Sequence, residues 1–74
     1  MKSKISKIMK NIFEIEDVNE HISQANTAEW DSLKHLSLVV ELESEFNVEF
    51  EPEEIAEMKS FKDVVIILTG KGIY

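Results

Sequence analysis

Near the N-terminus the chain places Ile5, Ile8, Met9, Ile12 and Phe13 at intervals of three and four residues. That spacing puts them on one stripe of a helix. With Ser3 as its N-cap, the pattern predicts helix one over residues 4–13, with lysines flanking the stripe. From Glu14 to Asp31 no helical period persists, and Ile15, Val18, Ile22 and Trp30 stand scattered among polar residues. So long a connection is unusual in a small domain, and these four side chains are expected to pin it across the helix ends. Ser32 to Phe46 is the strongest predicted helix, with Asp31 placed to cap its start and Asn47 as its C-cap. Pro52 followed by Glu53 and Glu54 opens a short third helix anchored by Ile55 and Met58. Proline fits the first helical position, and acids suit the positive end of the helix dipole. Ser60 with Asp63 three residues on resembles a capping box. It starts a fourth helix whose apolar face is Phe61, Val64, Val65, Ile67 and Leu68, ending near Gly70. The β-branched stretch 64–67 would also suit a strand, but no other segment offers a strand partner. The pattern therefore predicts one all-α domain over residues 1–74, a four-helix bundle with a long loop between helices one and two.

The helix after Ser32 carries more apolar positions than one face can hold. At about 100° per residue, Leu38, Val39, Leu42 and Phe46 gather on one arc with His35 among them. Leu33, Leu36 and Val40 fall on a second arc about a third of a turn away. Ser32 lies beside this second arc, and Glu43 continues its line one turn below Val40. The first arc is the core face. The second is either covered by the long loop or left open as a docking strip, and the open arrangement is the expectation. His35 reads as a packing residue near the loop.

Charge sharpens the picture. Eight lysines and fifteen carboxylates give a net charge of −7. Lys2, Lys4, Lys7 and Lys10 fall in the first ten residues, and Glu41 to Glu57 is acidic with no basic residue. A surface this negative repels nucleic acid and anionic membranes and steers toward basic protein partners. There is no cysteine, hence neither a disulfide nor a thiolate metal site. Neither an apolar run of membrane-spanning length nor a signal-peptide pattern is present, so a cytoplasmic protein is expected.

Ser32 is the candidate chemical residue. A serine in the first turn of a helix sits among N–H groups without intrahelical acceptors, at the positive end of the dipole, a favourable place for a phosphate ester. A hydrolytic triad of Asp31, Ser32 and His35 is disfavoured, because all three lie within one turn. No metal site is expected; the acidic run Glu49 to Glu54 lacks the spacing of a Ca²⁺ loop.

From Trp30 to Leu68 the chain resembles the acyl carrier proteins. The matching residues are Asp31-Ser32-Leu33, Leu36, Leu38, Val39, Val40, Leu42, the Glu43 to Phe46 segment, Val48-Glu49-Phe50, Glu53-Glu54 and the Phe61 to Leu68 helix. The resemblance implies a bundle of acyl-carrier type and a non-catalytic protein. It implies 4′-phosphopantetheine esterified to Ser32 by a phosphopantetheinyl transferase, and acyl groups carried as thioesters on that arm. Acyl-loading and acyl-transfer enzymes would be the other partners. Asp31, Leu33, Leu36, Val40 and Glu43 would form the partner surface of a monomer. Departures are Glu29 and Trp30 ahead of the Asp, and Lys34, Ser37 and Ser44 where carriers of fatty-acid synthesis usually show acids. They point to a specialised pathway (polyketide, surface-glycan or modified-lipid synthesis) rather than the housekeeping synthase. A peptidyl or aminoacyl carrier, or an unmodified acidic interaction domain of the same fold, are the alternatives.

Overall fold

Four helices follow one another: α1 (Lys2–Phe13), α2 (Ser32–Phe46), α3 (Pro52–Glu57) and α4 (Phe61–Gly70). The computed structural model describes residues 2–73. Among these the only extended pairing is an isolated antiparallel bridge between Ser23 and Ser60. The β-branched stretch in α4 is thus helical, as the lack of a strand partner required.

Local chemistry explains most of the boundaries. Asp31 is extended (φ −95°, ψ −176°) and caps α2 by accepting the Lys34 N–H at 2.9 Å. At the other end Asn47 takes the left-handed conformation (φ 54°, ψ 53°), which asparagine tolerates better than most residues. Pro52 opens α3, where the Glu51 N–H donates to Glu54 Oε1 at 2.7 Å. For α4, Ser60 Oγ accepts the Asp63 N–H at 3.1 Å. The Asp63 carboxylate reaches back to the Lys59 N–H at 3.2 Å, one residue short of a full capping box.

The start of α1 differs from the expectation. The helix already includes Lys2, so Ser3 is an exposed residue of its first turn and does not cap it. Nothing in Lys2-Ser3-Lys4 breaks a helix, and serine inside one costs only a few tenths of a kcal/mol. The other end of α1 is closed by Glu14 with φ 54°. For a residue with a Cβ a left-handed conformation costs about 1–2 kcal/mol.

The core is built from Ile5, Met9 and Phe13 of α1, Leu38, Val39 and Leu42 of α2, and Phe61, Val64 and Leu68 of α4. Each such side chain contributes about 1.5–3 kcal/mol on burial. Phe50 and Met58 close the core from the segments flanking α3, and no residue of α3 itself is fully buried. The long loop adds Ile22 and Trp30, with Ile15 and Val18 half-buried against the cluster, as the scattered apolar residues predicted. Backbone bonds then fasten the loop to the α3–α4 junction. The Gln24 N–H donates to Lys59 O at 2.8 Å and the Phe61 N–H to Ile22 O at 2.9 Å. On the α3 side, Lys71 Nζ lies 2.9 Å from Glu54 Oε1 and 5.5 Å from the centre of the Phe50 ring. The Glu51 N–H, and after it Lys71, hold the Glu54 carboxyl below its ordinary pKa.

Candidate functional site

The end of the loop and the start of α2 meet at Ser32. Its side chain is exposed, and it is the first residue of the helix. Asp31 engages the N–H of Lys34, while the N–H groups of the first turn have no acceptor inside the helix. The serine oxygen thus stands beside partly positive backbone in open solvent. A groove of about 490 Å³ opens beside it, lined by Gln24, Trp30, Asp31, Ser32, His35 and Leu36.

Trp30 forms one wall of that groove from a buried position. Its ring stacks on Phe13 of α1, with centroids 4.9 Å apart, and its own N–H donates to Trp30's neighbour across the turn, Nδ1 of His35, at 3.0 Å. The other nitrogen of His35, Nε2, lies 2.8 Å from the carbonyl of Ile55 in α3. An indole can only donate and a carbonyl can only accept, so the contacts assign the neutral Nε2–H tautomer. Both ring nitrogens are therefore used within the fold. Asp31, Ser32 and His35 do not line up as orienter, nucleophile and base.

Outside the core arc, α2 leaves Leu33, Leu36 and Val40 exposed, at 77%, 57% and 62% of their surface, and the loop does not cover them. They lie at i, i+3 and i+7 on the arc next to Ser32. Glu43 sits at the border between the two arcs. It is half-buried, and its carboxylate accepts the Phe50 N–H at 3.0 Å, holding the turn after α2. Glu41 is exposed, and Glu45 lies 3.4 Å from Lys4 of α1. Lys34 lies 3.4 Å from Glu14, a largely exposed pair worth little. The structure thus gathers Asp31, Ser32, Leu33, Leu36 and Val40 at one end of the bundle and gives Glu43 a bond within the fold. His35 packs near the loop as expected, but its bonds to Trp30 and Ile55 were not foreseen.

No family model matches the chain, and no curated protein matches it in sequence. Among solved structures, "a putative acyl carrier protein (Rv0033) from Mycobacterium tuberculosis" superposes with a TM-score of 0.83. The match spans 92% of this chain and 93% of that one at 22% sequence identity. The fold is of the acyl-carrier type. Within that fold Ser32 stands at the junction of the long loop and α2. Among the described residues no helix is long and apolar enough to cross a membrane.

Proposed function

We propose that this chain is a carrier protein that bears 4′-phosphopantetheine on Ser32. The observation that carries the reading is an exposed serine opening α2, beside an uncovered apolar strip, on an acyl-carrier fold. The donors present suit the group. The first-turn N–H groups without intrahelical acceptors and the dipole of α2 would suit the charge of a phosphodiester on Ser32 Oγ, and the adjoining groove, lined by Gln24, Trp30 and Leu36, would border the first part of a tether.

In the attachment reaction Ser32 Oγ forms a bond to phosphorus, the bond from phosphorus to the nucleotide part of coenzyme A breaks, and that part leaves. A separate transferase supplies the base and the Mg²⁺. When bound, the group supplies a thiol, which this cysteine-free chain lacks. The chain's own residues then do three things. Asp31 fixes the first turn of α2, the dipole accommodates the phosphodiester charge, and Leu33, Leu36 and Val40 offer apolar surface to visiting enzymes. Those enzymes are acyl-loading and acyl-transfer partners of a specialised pathway, served in the cytoplasm by a monomeric carrier. Asp31 and Glu43 add negative charge at the edges of the docking strip.

Intact mass after incubation with coenzyme A, Mg²⁺ and a broad-specificity transferase tests this. One pantetheinyl phosphate is expected on the native chain and none on Ser32→Ala. An unmodified native chain, or equal modification of the variant, would overturn the reading.

A further inference from the structure

Trp30 is 4% exposed, so its indole N–H cannot rely on water and needs an acceptor inside the protein. His35 provides that acceptor and passes the connection on to α3 through Ile55 O. That carbonyl also receives the Met58 N–H at 3.3 Å, a longer bond than the 2.8 Å contact with the imidazole. α3 has no fully buried residue of its own; Ile55 packs half-buried against the core, and polar ties from His35 on one side and from Lys71 through Glu54 on the other add to that hold. One imidazole therefore connects the loop, α2 and α3, and two of the three parts it joins line the groove at Ser32. Gln24 adds a weaker contact, its amide nitrogen 3.4 Å from the same Nδ1.

We propose that His35 is a positioning residue for Ser32: its neutral ring ties Trp30 to the backbone of α3, so the wall of the groove is set by where α3 lies. The proposal rests on the reading of Ser32 as the attachment point. Its core, the Trp30–His35–Ile55 bridge, can be measured without that reading. With both nitrogens protonated, two N–H groups would face each other at the Trp30 contact, so only the neutral ring makes the bridge.

Three measurements test it. In the native chain, nitrogen chemical shifts of His35 should show Nε2 protonated and Nδ1 bare; the opposite tautomer overturns the bridge. In His35→Leu, emission of Trp30, the sole tryptophan, should shift to the red. Exchange of its indole proton should quicken about tenfold or more. An undisturbed Trp30 overturns the proposal. In transferase assays with coenzyme A, His35→Leu should lower kcat about tenfold with KM within about twofold, because the strip is intact and only the presentation of Ser32 suffers. The conservative variant His35→Gln keeps one acceptor and one donor at similar spacing and should recover most of kcat and the native Trp30 signals. A His35→Gln chain as impaired as His35→Leu overturns the proposal, whether or not His35→Leu folds. If the native chain is not modified at all, the carrier reading fails, and the tautomer and Trp30 signals decide the bridge alone.

Discussion

The two apolar arcs of α2 are made of the same residue types and have opposite fates. Leu38 and Leu42 are fully buried, whereas Leu33, Leu36 and Val40 keep more than half of their surface in water. Hydrophobicity does not separate them; the position of α1 and α4 does. A leucine on the inner arc touches other helices and excludes water, while one on the outer arc has nothing across from it. The inner arc therefore carries stability, and the outer arc is free to vary with little cost to the fold. Glu43 stands on the border and belongs by angle to the outer line and by hydrogen bond to the fold.

The widest separation between the arcs should come from Leu38→Ala, which removes a fully buried side chain and is expected to cost about 2–5 kcal/mol. A domain of this size has on the order of 4–11 kcal/mol in total, so urea unfolding should shift far toward lower midpoint, with part of the chain unfolded in water. A loss below about 0.5 kcal/mol would mean that the inner arc is not the core. At the border, Glu43→Ala leaves the Phe50 N–H without its acceptor and should cost about 1–3 kcal/mol. The same urea titration checks it, and no change would place Glu43 wholly on the outer surface. On the outer arc, Leu36→Asp should change stability by no more than about 0.5 kcal/mol and keep the native circular dichroism. Under the carrier reading it should also weaken turnover by partner enzymes. A Leu36→Asp chain that unfolds would erase the distinction between the arcs.

The smallest effect concerns which acids the fold uses. Glu54 has its pKa depressed in the folded state, by the Glu51 N–H first and by Lys71 next. Its stabilising contribution is therefore present above the ordinary value of 4.5 and is lost as pH falls from there through the folded value. Melting temperature followed from pH 7 downward should decline less steeply for Glu54→Gln than for the native chain. Parallel curves would show that this carboxylate, partly exposed as it is, does not report on folding.

Much of the site was legible because it is local. Ser32 at the head of a helix, Asp31 as its cap and the two arcs all follow from spacing within fifteen residues. The length of the loop and its four apolar pins were readable as well. The start of α1 was misplaced because serine serves both as a cap and as an ordinary helical residue, and nothing around Ser3 chooses between them. The role of His35 was out of reach because its partners lie five residues before it and twenty after it, and only packing brings them together.

Periodicity and caps act between residues three or four apart, so the chain alone determined the four helices, their caps at Asp31, Asn47 and Ser60, and the serine that opens α2. Tertiary structure alone decided that Leu33, Leu36 and Val40 remain uncovered, that Glu43 holds Phe50, and that His35 joins Trp30 to Ile55. Burial and hydrogen-bond partnership depend on what lies opposite a residue in space, and in a bundle that neighbour comes from a distant part of the chain.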